Sequence, residues 1–265
     1  MAHSDDTKDH WKPQLYQQEA SFVPALTESI VSRLQPHLNS EVTLLDLGCG
    51  DGVLTRTLQS QCARVVGVDM SSAMIEAARI NGCQDARVAD GSNLRAAQVG
   101  DGEFDVVFSN AALHWMKRDP GQVVREVNRS LRPSGMFIGE MGGHLNVAAI
   151  HATLIDVVNR HGQDGEALSP WFFPTEQEYR TLLEQNGFQV QYIELVPRIT
   201  ALPGDVRGWL NTFAAPFVEG FDTLEEREKI LDEVQEILRP VTQRPGGHSV
   251  MYTRLRFVAQ KTSTA

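Results

Sequence analysis

The chain has 265 residues, enough for one sizeable α/β domain but short for two independent ones. Hydrophobic residues make up 42% of the chain, which suits a globular core and argues against disorder. The formal net charge of -10 argues against a nucleic-acid partner, and no apolar run approaches the roughly 20 residues of a membrane-spanning helix.

The N-terminal residues 1–11 are polar and lack the apolar core of a signal peptide. The three cysteines, Cys49, Cys62 and Cys83, show no CxxC spacing. Such a sparse, odd set predicts free thiols in a reducing compartment, without a disulfide or zinc framework. We therefore expect a cytoplasmic protein with no metal site and no membrane contact.

Along the chain, residues 1–38 carry apolar side chains at helical spacing and predict a helical N-terminal cover. Strands separated by helical patterns follow, and the predicted strands lie at 42–47, 64–68, 86–89, 104–109 and 136–140. Strands that alternate with helices indicate βαβ units and a parallel sheet. Residues 42–142 are therefore predicted to form the cofactor-binding core of the protein.

Beyond residue 142 the alternation changes, and helical stretches at 145–172 and 204–240 interrupt the order of the strands. Inserted helices of this kind commonly form a lid over a pocket at the strand ends. We predict a single α/β domain over residues 1–265. Its core would be a Rossmann-like, doubly wound, seven-stranded sheet, mostly parallel with the last strand antiparallel, and the two insertions would be its helical cap.

A glycine-rich loop, LLDLGCGDG at residues 44–52, follows the first predicted strand, and its glycines are Gly48, Gly50 and Gly52. Glycines permit a tight turn and the close approach of a ligand. The dinucleotide fingerprint GxGxxG would need glycine at Val53, so the spacing is GxGxG instead. Asp46, just before the loop, suits a cationic cofactor without phosphate, such as S-adenosylmethionine.

Later strand ends carry residues that suit the rest of this cofactor. Asp69 ends the second strand and can accept hydrogen bonds from both ribose hydroxyls, while Met70 can pack on the adenine. Asp90 ends the third strand and can accept from the adenine amino group, and Gly91 allows a close approach. Each aspartate alone is as often a turn or a helix cap, so the prediction depends on their order at successive strand ends.

These residues resemble the class I S-adenosylmethionine-dependent methyltransferases, and the chain is similar to the trans-aconitate methyltransferase branch of that family. The resemblance covers nearly the whole chain and is carried by the glycine loop together with WKPQLY (11–16), GVDMSSAMI (67–75), SNAALHW (109–115), LRPSG (131–135), GWL (208–210), LRP (238–240) and RLRFVA (254–259). It implies that Asn110 contacts the cofactor. It also implies that the N-terminal segment, with Trp11 and Tyr16, folds over the cofactor, where an aromatic face stabilises a sulfonium. A surface helix is the alternative for that segment.

The resemblance places the loop of residues 110–115 beside the methyl donor, which makes His114 the candidate catalytic residue. It can act as a base, donate a hydrogen bond to a carboxylate or have a purely structural role. Insect juvenile hormone acid methyltransferases have a similar Leu-His-Trp run and methylate carboxylates. Many relatives of the bacterial trans-aconitate enzyme carry glutamine where His114 stands.

Four further residues are candidates for contact with the substrate. Trp11, Trp115 and Trp171 can line an apolar pocket, with core or surface packing as the alternative. Arg254, in the last predicted strand at 250–260, can bind a substrate carboxylate through two parallel hydrogen bonds. The alternative for Arg254 is an ordinary salt bridge.

A carboxylate acceptor is ionised at neutral pH and needs no base, which fits a chain with one candidate base. The sequence therefore predicts a small-molecule substrate and O-methylation of its carboxylate to a methyl ester, as trans-aconitate would undergo. Methylation of another oxygen, nitrogen, sulfur or carbon atom of a secondary metabolite stays open, as does a cofactor-binding protein that transfers no methyl group. The oligomeric state does not follow from the sequence.

Overall fold

The computed structural model describes Asp9, residues 11–15 and residues 27–262, and within them a sheet of eight strands. The strands are β1 (Thr43–Leu47), β2 (Arg64–Asp69), β3 (Ala86–Val88), β4 (Phe104–Asn110), β5 (Leu131–Gly142), β6 (Phe188–Ala201), β7 (Gln243–Arg244) and β8 (Gly247–Lys261). Seven of them follow the order β3-β2-β1-β4-β5-β8-β6, and β7 pairs only with β8. Strands β1 to β5 are parallel, and β8 lies antiparallel between β5 and β6.

The α/β class, the mostly parallel sheet and the antiparallel last strand are as predicted, but the count of seven strands is wrong by one. The additional strand β7 has two residues and pairs with the start of β8 through Gln243 with His248 and Arg244 with Gly247. Between the paired residues stand Pro245 and Gly246, and Gly246 has a φ of +89°. Proline followed by a glycine with positive φ is the pattern of a type II turn, which reverses the chain here.

The helices are α1 (Glu28–Leu34), α2 (Val53–Gln59), α3 (Ser72–Ile80), α4 (Pro120–Ser130), α5 (Ala148–Arg160), α6 (Gly165–Leu168), α7 (Glu176–Gln185), α8 (Val206–Phe213), α9 (Ala215–Val218) and α10 (Leu224–Thr242). Side chains cap several of their first turns. The hydroxyl of Ser71 accepts from the backbone N–H of Met74, and Thr175 and Thr223 form reciprocal capping boxes with Glu178 and Glu226.

Successive residues of the strands pack into two apolar layers, one on each face of the sheet. Leu44 packs on one face with Ile30 of α1 and Leu58 of α2, whereas its neighbour Leu45 packs on the other face with α4 and α7. Because side chains alternate across a strand, a continuous apolar run such as β1 is the pattern of a strand covered on both faces.

A separate apolar cluster lies outside the sheet layers, and we call it the cap cluster. It joins buried residues of α5, α8, α9 and α10 to Trp171 and to the start of β8. The stretches predicted as helical insertions, 145–172 and 204–240, supply most of it. Two details differ from the prediction. The first stretch is broken into α5 and α6, with no regular structure at 169–175, and α10 continues to Thr242.

Strands β1 and β4 are neighbours, yet the chain leaves β1 toward β2 on one side and leaves β4 toward β5 on the other. In open α/β sheets a crevice forms at such a reversal, outside the carboxyl ends of the strands. Within the part of the chain that the structure describes, none of the helices has both the length and the apolar character needed to span a membrane.

Candidate active site

A cleft of about 320 Å³ opens at the carboxyl ends of β1, β2 and β4. Its two ends differ in chemistry. One end, the glycine-loop half, is lined by Gly48, Gly50, Asp69, Met70, Asp90 and Gly91. The other end, the cap half, is lined by His114, Trp115, Glu140, Asn146, Val147, Trp171, Phe173, Arg198, Trp209, Phe213, Tyr252 and Arg254.

Two glycines of the loop after β1 have different tasks. A Cβ added to Gly48 would lie 2.1 Å from the Cβ of Ala112, so Gly48 lets the loop after β4 approach. A Cβ added to Gly50 would meet nothing within 4 Å, and Gly50 has a φ of +55°. The space in front of Gly50 is therefore open to a ligand.

Asp69 connects this loop to the end of β2. Its Oδ2 accepts from the backbone N–H of Gly50 at 3.0 Å, and its Oδ1 accepts from that of Ser71 at 2.9 Å. Burial raises the pKa of Asp69, and these backbone hydrogen bonds oppose that rise. Since each carboxylate oxygen has a second lone pair, Asp69 can also accept from two neighbouring hydroxyls. Met70 beside it is 54% exposed and available to pack on a flat group.

Asp90 and Gly91 also line the glycine-loop half. The carboxylate of Asp90 accepts from the backbone N–H of Ser92 at 2.7 Å and from Arg118 at 3.0 Å. A Cβ on Gly91 would lie 2.8 Å from the Sδ of Met116. The carboxylate of Asp90 therefore binds groups of the chain and also borders the cleft.

Asp46 and Gly52, both predicted to contact the cofactor, do not line the cleft. The Asp46 carboxylate is 2% exposed and accepts from the hydroxyl of Thr55 at 2.6 Å. Burial raises the pKa of Asp46 to about 6, the Thr55 hydrogen bond lowers it, and the charge of Asp69 adds to the rise. A Cβ on Gly52 would lie 2.4 Å from the Sγ of Cys83 and 2.8 Å from the Cβ of Ala78, so this glycine allows close packing against α3 and the residues that follow it. Tyr16, the remaining predicted cofactor residue, lies outside the described residues.

Asn110 ends β4 and lines the cleft. Its Oδ1 is buried and has no hydrogen-bond partner among the described residues. A buried carbonyl oxygen without a donor is costly, so a donor from a ligand would be favoured there. The ammonium group of S-adenosylmethionine is such a donor.

His114 is 7% exposed, and its Nδ1 accepts from the backbone N–H of Gly142 at 3.2 Å. Burial lowers the pKa of His114 well below its ordinary value, and the positive charge of Arg254 lowers it further. A neutral imidazole that accepts at Nδ1 carries its proton on Nε2. His114 therefore has a hydrogen to donate and not a free lone pair with which to take a proton.

A cluster of three arginines surrounds Glu140, which is 2% exposed. The Nε of Arg254 donates to Oε1 of Glu140 at 3.0 Å, and the Nε of Arg256 donates to Oε2 at 2.6 Å. Arg198 lies 3.9 Å from Oε1. Three guanidinium groups around one carboxylate leave an excess of positive charge, and Arg198 and Arg254 line the cap half.

Aromatic rings form most of the remaining wall, and all four tryptophans of the chain, Trp11, Trp115, Trp171 and Trp209, line the cleft. Trp115 is central: its ring centroid lies 5.1 Å from Trp11, 5.9 Å from Trp171 and 6.3 Å from Phe213. The predicted substrate residues Trp11, Trp115, Trp171, His114 and Arg254 therefore border a single cavity.

Five residues of the cap half were not predicted from the sequence, namely Arg198, Glu140, Asn146, Trp209 and Phe213. Trp209 belongs to a motif that carries the family resemblance but was not itself a candidate. Arg198 reaches the site because β6 pairs with β8 in a register that sets it opposite Tyr252 and diagonal to Arg254. Local sequence patterns carry no signal for that register.

The glycine-loop half fits S-adenosylmethionine in three respects. Open space lies over Gly50, Asp69 has capacity for two ribose hydroxyls, and the unpartnered oxygen of Asn110 can receive the ammonium group. The described residues contain no group of three or more His, Cys, Asp or Glu side chains that could hold a metal ion.

Comparisons with known proteins agree with this fit. Residues 45–139 match a family model described as a methyltransferase domain. An uncharacterized methyltransferase of Schizosaccharomyces pombe is 43% identical over 261 residues, covering 96% of this chain and 99% of that protein. A malonyl-[acyl-carrier protein] O-methyltransferase of Paenibacillus sp. is 27% identical over 184 residues, 66% of each chain.

The fold recurs in a solved complex of Haemonchus contortus phospholethanolamine N-methyltransferase 2 with phosphomonomethylethanolamine and S-adenosylhomocysteine. The TM-score is 0.57 at 17% identity, over 97% of this chain and 58% of that one. At this identity the likeness extends to the fold alone.

Proposed function

The chain belongs to the class I S-adenosylmethionine-dependent methyltransferases, and from that premise we propose that it methylates the carboxylate of a small molecule, giving a methyl ester. Bound in the glycine-loop half, S-adenosylmethionine supplies a methyl group already activated by its sulfonium. The residues of the chain then have to bind the acceptor, orient it and exclude water.

One observation carries the proposal. The cap half combines the guanidinium groups of Arg198 and Arg254 with a neutral His114 whose proton is on Nε2. All three side chains are donors, which is what a carboxylate requires. An acceptor that must lose a proton, such as an alcohol, would need a base. His114 in this tautomer cannot act as that base, because its Nδ1 already accepts a hydrogen bond and its Nε2 carries a proton.

The mechanism follows from these donors. Glu140 fixes Arg254 through the bond to its Nε, so the rest of that guanidinium can bind one acceptor oxygen. His114 would donate to the same carboxylate and hold one of its oxygens toward the methyl group that S-adenosylmethionine would supply. In such an attack the O–CH₃ bond would form as the C–S bond breaks, and S-adenosylhomocysteine would leave with the electron pair of that bond. Holding the two reactants in line can supply about 7–11 kcal/mol of the barrier. The attack also cancels one positive and one negative charge, so an aromatic surrounding of low polarity favours it over water.

A relative supports oxygen as the accepting atom. The Paenibacillus protein is named as an O-methyltransferase of malonyl-[acyl-carrier protein], and a malonyl group bound through one end has a free carboxylate at the other. Trans-aconitate, whose methyltransferases the sequence resembles, also offers carboxylates as acceptors.

The test supplies S-adenosylmethionine with an isotope-labelled methyl group and acids that include trans-aconitate, each beside the alcohol and amine of the same skeleton. We expect the label to enter the acids as esters, recognised because mild alkali releases them as methanol. Arg198→Gln should reduce ester formation, whereas Arg239→Gln should not, since Arg239 is exposed and pairs with Glu236 on α10. Alkali-stable label in an alcohol, amine or carbon product would contradict the proposal, and so would binding of cofactor without transfer to any acceptor.

A further inference from the structure

We infer that the acceptor is a monocarboxylic acid whose body beyond the carboxylate is flat and apolar. The inference rests on the proposed function, in which a carboxylate accepts the methyl group. It is carried by the charges and by the ring surfaces of the cap half, which are independent observations.

The charges of the cap half match one carboxylate. Its ionised lining groups are Glu140, Arg198 and Arg254, two cations and one anion, and His114 is neutral. Arg256, the third cation on Glu140, does not line this cleft but a groove it shares with Glu194. Since Arg198, Arg254 and His114 are all assigned to the reacting carboxylate, the two further carboxylates of a tricarboxylate would lose water in this half without a cationic partner.

The rings of the cap half match a flat body. Trp171 and Phe173 stack with an interplanar angle of 20° and centroids 5.6 Å apart. Phe213 lies 5.0 Å from Trp209, which joins this pair through a 6.0 Å contact with Trp171. Aromatic side chains predominate in this half, where Val147 is aliphatic and Trp115, Trp171, Phe173, Trp209, Phe213 and Tyr252 are aromatic. Aromatic faces pack best against planar groups, so an unsaturated or aromatic body fits better than a branched or polyhydroxylated one.

The sulfonium of the cofactor does not account for all of these rings. A cation is stabilised by rings whose faces lie within about 6 Å of it. Trp11 and Trp115, in edge contact at 5.1 Å, stand on the side of the loop after β4 and can serve it. Trp171, Phe173, Trp209 and Phe213 also line the cleft and remain as apolar surface for the acceptor.

The test measures binding of acids to protein saturated with S-adenosylhomocysteine, by calorimetry, so that it does not depend on turnover. The probes are acrylate, trans-cinnamate and trans-aconitate, which share a double bond beside a carboxylate. Burying one methylene group raises the affinity about fourfold. Because cinnamate carries a whole phenyl ring that acrylate lacks, we expect it to bind at least tenfold more tightly than acrylate. Tighter binding of trans-aconitate than of cinnamate would overturn the inference.

Two variants separate the ring surface from general damage to the cap. Phe213→Leu should reduce the preference for cinnamate over acrylate severalfold, because Phe213 lines the cleft. Phe221→Leu should leave that preference unchanged, because Phe221 belongs to the cap cluster but does not line the cleft. An equal preference in wild type and Phe213→Leu would count against the ring surface as the binding site.

A turnover comparison distinguishes the two ways of being wrong. Cinnamyl alcohol has the body of cinnamate without the carboxylate. If the protein methylates cinnamyl alcohol and not cinnamate, the carboxylate proposal fails and the flat body stands. If it methylates trans-aconitate in preference to cinnamate, the carboxylate proposal stands and the flat, singly charged body fails.

Discussion

The backbone N–H of Gly50 donates a hydrogen bond to Oδ2 of Asp69 across 3.0 Å, which joins the loop after β1 to the end of β2. The other carboxylate oxygen of Asp69 holds the backbone of Ser71, the residue that caps α3. Hydrogen bonds within the chain therefore hold in a fixed geometry two residues that the sequence assigns to one cofactor. Preorganisation of this kind lowers the entropy that binding costs.

Asp69→Ala should weaken the binding of S-adenosylhomocysteine by about 1–3 kcal/mol, a factor of roughly 5 to 150, because the hydrogen bonds to two ribose hydroxyls are lost. Calorimetry measures the change. Asp105→Ala is the matched control, because Asp105 also accepts from a backbone N–H, that of Thr43 at 2.8 Å, but does not line the cleft. A folded Asp69→Ala protein with wild-type affinity would remove Asp69 from the binding site.

Gly50→Ala should weaken cofactor binding at least tenfold, because the new methyl group would occupy the open space in front of the loop. The positive φ also costs about 1–2 kcal/mol of stability for a residue with a Cβ. Gly102→Ala controls for this cost, since Gly102 has a φ of +60°, has nothing within 4 Å of an added Cβ and does not line the cleft. If both variants bind S-adenosylhomocysteine like the wild type, the cofactor does not approach Gly50.

The residues of the glycine-loop half could be predicted because their signals are local in sequence. Gly50 and Asp69 stand at the ends of adjacent predicted strands, where loops of a parallel sheet converge. The face of β1 on which the Asp46 side chain lies was not predicted correctly, although the alternation of side chains along the strand indicates it. Asp46 shares a face with Leu44, toward α2 and Thr55, and not with Leu45 and Leu47.

The cap half could be predicted only in part. Trp171 and Arg254 were identified by residue type. The position of Arg198 depends instead on the pairing of β6 with β8, in which Arg198 and its partner Tyr252 are 54 residues apart (252 minus 198). Such pairings are set by tertiary packing and not by local propensity. Strand β7 was not predicted for another reason, because its two residues are too few to show a period-two pattern.

Asp46 should make stability depend on pH. Its pKa of about 6 in the folded protein exceeds the value near 3.9 of an unfolded aspartate. Between these values the folded protein binds more protons than the unfolded chain, so the free energy of unfolding falls as the pH rises. The fall between pH of about 4 and about 6 is on the order of 3 kcal/mol.

Asp46→Asn should remove that part of the pH dependence, because asparagine does not titrate and its carbonyl oxygen can still accept from Thr55. Urea unfolding of both proteins across this range measures the difference, and Asp105→Asn serves as a control that leaves the contribution of Asp46 in place. Parallel curves for wild type and Asp46→Asn would show that Asp46 does not titrate with a raised pKa.

His114 is expected to orient the acceptor and not to act as its base. His114→Gln offers an amide carbonyl to the N–H of Gly142 and an amide N–H in place of Nε2–H, so turnover should stay within about tenfold of the wild type, whereas loss of a general base costs about 100- to 10,000-fold. His114→Leu removes both functions and should be clearly slower than His114→Gln.

The pH dependence of the wild-type rate gives a second test of His114. Burial holds the pKa of His114 well below its ordinary value, so the rate should not fall as the pH drops through about 6.5. The rate should fall only when the acceptor carboxylate is protonated, near a pH of about 4. The affinity for S-adenosylhomocysteine, measured for each variant, separates damage to the cofactor half from damage to the acceptor half. A loss of more than about two orders of magnitude in His114→Gln with that affinity intact would identify His114 as a base, and the acceptor would then be a hydroxyl, thiol or amine.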